Sequence, residues 1–210
     1  MTLAGLRRFL VEPQDREPVQ EVCELCATPV PPQHPHLVQV EERRMICACG
    51  PCGFLFNNPG AGGGGYRRVP DRYLTDPDFR LTDAQWDALQ IPVGMAFFLH
   101  NSAQDRVIAC YPSPAGATES ELELPEWRSG VGGGRLAAEL EPDVEALLVR
   151  REKDGSSTDC LLVPIDACYR LVGLVRLHWK GFDGGADAWR EIDGFFDDLR
   201  ENARPLRPEV

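Results

Sequence analysis

"CACGPCG" (residues 47–53) carries three of the chain's eight cysteines within six positions. Upstream, Cys23 and Cys26 form "CELC", and 22 residues separate that pair from Cys49 and Cys52. The CxxC…CxxC pattern matches the spacing of zinc sites. A CxxC turn aims two thiolates at one ion while backbone N–H groups donate to the sulfurs. Gly53, just after the second pair, is expected to let its turn tighten. Two such turns complete a tetrahedral S₄ shell with no open position, so Cys23, Cys26, Cys49 and Cys52 are expected to hold a structural zinc. A module this small draws its folding energy from the metal.

Other chemistry fits parts of the same stretch. Iron also occupies four-thiolate sites. "CGPC" resembles the redox turn of thioredoxin-like proteins, but that turn ends a strand and precedes a long helix. Here "GFLFNNPGAGGGG" follows and is expected to break any helix. Cys47 is an additional or alternate ligand, since it can replace Cys49. His34 and His36, in "PPQHPHLVQV", can serve the same ion or a second metal, or lie solvated in a proline-stiffened loop.

Working outward, residues 1–20 are read as a short helix and tether, and 21–56 as the zinc-knuckle module. Within it "LVQVEERRMICA" (37–48) alternates around a charged turn and predicts a β-hairpin. "NNPGAGGGG" (57–65) is expected to be a mobile loop, and 66–210 an acidic α/β domain. The fold class is thus α+β: a small N-terminal zinc-ribbon or knuckle module, then a mixed body with an antiparallel sheet and C-terminal helices.

In the body, "VGMAFFLHN" (93–101) with "RVIACYP" (106–112), and "VEALLVRRE" (144–152) with "TDCLLVP" (158–164), predict two strand pairs. Thr82 is placed to cap a helix over "DAQWDALQ". "YPSPAGATES" (111–120) is read as a loop, and "PEWRSGVGGGRLAAEL" as irregular with short helical turns. Residues 166–181 fit both helical and strand periodicity, and length favours a helix. Trp189, Ile192, Phe195, Phe196 and Leu199 mark an amphipathic helix. Cys110, Cys160 and Cys168 lie in apolar runs and read as core. His100 and His178 sit at the ends of apolar segments, and neither glycine run has phosphate-loop context. No catalytic constellation stands out.

Charge narrows the function classes. The net charge is −11, and residues 81–210 contribute −10 of it, a surface that repels a nucleic-acid backbone. The longest apolar stretch, near "IPVGMAFFLH" (91–100), is about half of a membrane span, so no insertion is expected. The N-terminus lacks the features of a signal peptide, which points to the cytoplasm.

"CELC", "HPHL", "CACGPC", "YRRVPDR", "IPVGMAFF", "YPSPAGATES", "EPDVEALLV", "PIDACYRLVGLVRLHWKG" and "WREIDGFFDDLR" run in order along the chain. On these phrases the chain resembles a family of proteins of about this length, without assigned function, from high-GC Gram-positive bacteria. Its genes lie near those of a nickel–iron hydrogenase. The resemblance implies an accessory role in assembly, maturation or partner docking, with a hydrogenase subunit or maturation protein as partner. It also implies a hallmark of Cys23, Cys26, Cys47, Cys49, Cys52, His34 and His36, one thiol more than an S₄ site needs. Two alternatives stand beside it: rubredoxin-like electron transfer with iron, and nickel delivery with His34 and His36 as ligands.

Overall fold

The computed structural model describes residues 20–58, 60–120, 124–152, 155, 157–181 and 183–207. The helix and tether expected over 1–20 lie almost wholly outside the described residues. The fold is mixed α+β, with two sheets antiparallel throughout except at one edge of the larger, C-terminal helices and an N-terminal cluster of four cysteines.

The small sheet has the order β2-β1-β3. β1 (His36–Gln39) and β2 (Arg44–Cys47) form the expected hairpin. β3 (Tyr66–Arg68) comes from beyond the glycine run and pairs antiparallel with the other edge of β1. Alternation along β1 gives it two roles, because successive side chains point to opposite faces. Leu37 packs with Cys23, Val30, Ile46 and Ala48 in a small core of the module. Val38 joins the main core of the body, as does Val69 just after β3.

The glycine run holds a shaped turn. Ala61–Gly64 make a 3₁₀ turn in which Gly60, Gly62, Gly63 and Gly64 all have positive φ. L-residues avoid that region, so the repeat of glycines has a conformational cause.

The large sheet runs β10-β4-β9-β8-β5-β6-β7. Its centre is the two predicted strand pairs: β5 (Met95–Asn101) with β6 (Arg106–Ser113), and β8 (Glu145–Arg151) with β9 (Thr158–Pro164). β4 (Leu74–Thr75) is antiparallel to β9, and β10 (Arg204–Pro205) is parallel to β4. "YPSPAGATES" is not a loop. Its first residues end β6 and the rest forms β7 (Gly116–Ser120), joined by a tight turn. β5 pairs with β6 only as far as Cys110. Pro112 therefore lies where β6 has one neighbour, and its missing N–H is tolerated.

Both faces of this sheet are covered, which is why β5 and β8 are almost continuously apolar. Met95 and Phe97 face α5 (Ile165–His178) and α6 (Gly185–Asn202), together with Leu148. Ala96, Phe98 and Leu147 face the opposite way, against Trp86, Trp127 and Leu136. Those three sit on α2 (Asp83–Ala88), α3 (Leu124–Ser129) and α4 (Arg135–Glu139). Thr82 caps α2 in a reciprocal capping box with Gln85. Residues 165–178 are helical, and Cys110, Cys160 and Cys168 are buried as expected. No described helix is long and apolar enough to cross a membrane.

The module is fixed to the body by polar contacts as well as by Val38 and Val69. Arg67 donates to Pro142 O (2.6 Å), and Arg43 pairs with Glu119 (2.6 Å). Where the chain enters the body, Arg72 makes a two-pronged pair with the fully buried Glu145 (2.6 and 2.9 Å). That pairing geometry is among the stronger ionic contacts a protein makes.

Candidate metal centre

The first cysteine pair sits in a tight loop closed by its own backbone. Cys23 N–H donates to Thr28 O and Ala27 N–H to Cys23 O, both at 2.8 Å, and Val22 bridges to Pro29. The loop turns through Ala27, whose φ is 59°. The left-handed residue of this knuckle is thus an alanine. Such a conformation costs an L-residue about 1–2 kcal/mol.

The second pair is built differently. Cys49 is the N-cap of a six-residue helix, α1 (Gly50–Leu55), and Pro51 opens its first turn. The sequence expectation that no helix follows "CGPC" is therefore corrected: the proline-initiated turn forms, and ends within six residues. Gly53 does not supply a left-handed turn. It is inside α1, and a Cβ there would lie 2.9 Å from the Pro35 Cβ, so close packing on Pro35 is what requires glycine. The strand before the motif belongs to an antiparallel hairpin, unlike the βαβ setting of thioredoxin-like sites.

These two frames bring Cys23, Cys26, Cys49 and Cys52 together, with their sulfurs within 4.8 Å of one another. Cys26 Sγ and Cys49 Sγ are 3.6 Å apart. Metal–sulfur bonds of about 2.3 Å in a tetrahedron place sulfurs roughly 3.8 Å apart. A disulfide would need about 2.05 Å, and all eight cysteines are free. The four thiols therefore form a set that can hold one metal ion.

The surroundings favour thiolate at the first knuckle. The Cys26 thiol is pulled down to about 6, first by hydrogen bonds from the Thr28 hydroxyl and backbone. At Cys23 burial opposes ionisation, but backbone donors from Cys49, Leu25 and Cys26 lower it on balance. Cys52 is pushed up to about 12, chiefly by its hydrogen bond with Cys49. Three large apolar side chains on the two cysteine turns are exposed: Leu25 at 40 %, Phe54 at 70 % and Leu55 at 66 %.

Cys47 belongs to a different group. It lies with His34 and His36, one ligand atom of each within 4.8 Å of the others. Strand geometry produces the grouping. Cys47 is the cross-strand partner of His36, and directly opposite residues bring their Cβ atoms to about 4.5–5.5 Å. His34 is two residues before His36, and the two rings meet edge to face with centroids 4.8 Å apart. The Cys47 thiol is raised by burial and by the nearby Glu21 and Glu24 carboxylates.

The imidazoles are not solvated loop residues. His34 Nδ1 is 2.8 Å from Pro31 O, and His36 Nδ1 is 3.0 Å from Asp166 Oδ2, in the first turn of α5. Carbonyl and carboxylate oxygens only accept, so both Nδ1 atoms carry a proton, and in a neutral ring Nε2 then presents the lone pair. The His34 side chain is 4 % exposed, and its Nε2 is buried with no hydrogen-bond partner. An orphaned buried acceptor of this kind costs about 1–3 kcal/mol. Sequence spacing showed the four-thiol set; Asp166, 130 residues from His36, left no local signal.

No curated protein and no solved structure matches the chain. A family's sequence profile does, over residues 22–203, from just before Cys23 to the end of α6. The match covers both cysteine pairs, the two histidines and the whole large sheet except β10, and on it the chain belongs to the family of unknown function DUF5947.

Proposed function

We propose that the chain is a zinc-stabilised, non-catalytic accessory protein that works in the cytoplasm by docking to another protein. The carrying observation is the four-thiol cluster. Four sulfurs within 4.8 Å of one another can fill a coordination shell, which suits an ion that holds the fold and does not turn over substrate. Leu25, Phe54 and Leu55, exposed on the same two turns, give the module an apolar tip suited to a protein surface. The acidic body, carrying most of the net charge of −11, disfavours a nucleic-acid partner. Family resemblance supplies the partner in this reading: a nickel–iron hydrogenase subunit, or a protein that assembles or matures one.

The test has two parts. Elemental analysis with an absorption spectrum is expected to give zinc in the four-thiol site and no visible bands. Iron with charge-transfer bands that bleach on reduction would replace the structural reading with electron transfer. Co-purification from a strain expressing the hydrogenase is expected to recover its subunits. Loss of that recovery on Leu25→Ser and Phe54→Ser would assign the docking to the tip. No association, with normal hydrogenase activity in a deletion strain, would refute the partner.

A further inference from the structure

We propose that His34, His36 and Cys47 form a second metal site, open at one position, for a divalent late first-row transition ion. Three features carry it. The three donors converge on one side of the β1–β2 hairpin, because cross-strand pairing and an i, i+2 spacing bring them to one face. Both imidazoles turn Nδ1 to an oxygen acceptor, so the neutral ring keeps its proton there and has Nε2 to ligate. The Nε2 of His34 is buried in a side chain 4 % exposed, without a hydrogen-bond partner. A buried, oriented, unpartnered lone pair beside a second imidazole and a thiol is what a metal ion satisfies.

The donor set defines the ion. Two neutral imidazoles and one thiolate suit zinc, cobalt or nickel, and lack the hard oxygen donors that magnesium or calcium needs. Three protein ligands leave a fourth position for water or an exchangeable group, unlike the closed four-thiol shell. Asp166 completes the arrangement from the body. Its bond to His36 Nδ1 is the carboxylate–histidine–metal relation that fixes ring orientation and raises basicity. Its negative charge, with that of the Cys47 thiolate, balances a divalent ion. Since Asp166 opens α5 and His36 opens β1, an ion bound here ties the module to the body.

The site is independent of which metal fills the four thiols, and the experiment keeps the two apart. The full-length protein, with the four-thiol site loaded, is titrated with Co²⁺, and total metal per chain is counted after gel filtration. Two equivalents are expected, the second giving a thiolate-to-cobalt charge-transfer band. Cys47→Ala and His36→Ala should each remove that band and lower the count to one, with the first site still filled. Asp166→Asn should weaken Co²⁺ binding about 10- to 100-fold while sparing the first site. A wild-type count of one overturns the proposal, and that reading requires no variant to fold. A second equivalent that survives Cys47→Ala also overturns it, because the ion then sits elsewhere. Iron in the four thiols would refute the zinc reading and leave this count intact.

Discussion

Cys26→Ser tests how far the module depends on its metal. Cys26 is exposed, so the substitution removes no core packing, and serine retains a donor and acceptor beside Thr28. What it removes is the fourth thiolate. Among the described residues the module's own core fully buries three large apolar side chains, Val30, Leu37 and Ile46, with Phe56 and Tyr66 partly buried against them. At about 1.5–3 kcal/mol for each full burial and about half that for the two aromatics, they supply roughly 6–12 kcal/mol, and a structural zinc contributes about 10–16 kcal/mol more. Without the ion, β1–β3 should lose their ordered pairing. The body would then lose the burial of Val38 and Val69, about 1.5–2 kcal/mol each, roughly 3–4 kcal/mol together. For a chain of this size that lowers Tm by about 2–4 °C per kcal/mol, or roughly 6–16 °C. Hydrogen exchange reads both effects: amides of residues 36–47 should exchange rapidly in the variant, while those of β8 and β9 stay protected. Chelation of the wild type should reproduce the pattern. Continued protection of Leu37 and Ile46 without a full thiolate set would refute the reasoning. Simultaneous loss of β8 and β9 would refute the claim that the large sheet stands on its own core.

Three further perturbations probe particular contacts. Arg135 of α4, hydrogen-bonded to the buried Asp76 just after β4, holds that carboxyl below its usual range. The pair's stability is fully present above the unfolded carboxylate value of about 3.9 and is lost as pH falls through the lower folded value. Asp76→Asn should therefore flatten the acid limb of Tm against pH, and an unchanged limb would exclude this pair as a contributor. At the knuckles, Ala27→Gly should stabilise the module by up to about 1 kcal/mol by relieving the left-handed alanine. Gly53→Ala should destabilise it by about 1–3 kcal/mol through the clash with Pro35. Chelator midpoints for metal release should move in opposite directions; the same direction for both would contradict the assigned backbone roles.

What the sequence disclosed follows from how local each signal is. The two CxxC pairs, the helix cap at Thr82, the strand pairs and the amphipathic stripe of α6 are encoded within a few residues of one another, and each forms where its pattern indicates. The grouping of Cys47 with the histidines required the register of β1 on β2, which a turn at 40–43 sets and no spacing rule reveals. Asp166 required the tertiary docking of that hairpin. "YPSPAGATES" was misread because prolines usually mark loops, and only the local end of the β5–β6 ladder makes Pro112 acceptable in a strand. The turn inside the glycine run left no signal of its own, because composition alone does not distinguish freedom of φ from use of one particular φ.

The third strand of the small sheet has a practical consequence for anyone cutting the chain. A fragment ended at residue 57, where composition invites a boundary, would keep Cys23, Cys26, Cys47, Cys49, Cys52 and both imidazoles but strip β3 from β1. The outer edge of β1, Leu37 to Gln39, would then offer bare N–H and C=O groups to the next copy, an invitation to edge-to-edge aggregation. A transplantable unit has to run past the glycine turn to Val69, whose N–H closes on His36 O at 3.0 Å. Grafted onto another scaffold, residues 20–69 would carry the four-thiol centre whole and the histidine centre without its carboxylate. Such a cut would leave the four-thiol centre intact and deprive the histidine centre only of the Asp166 contact to His36.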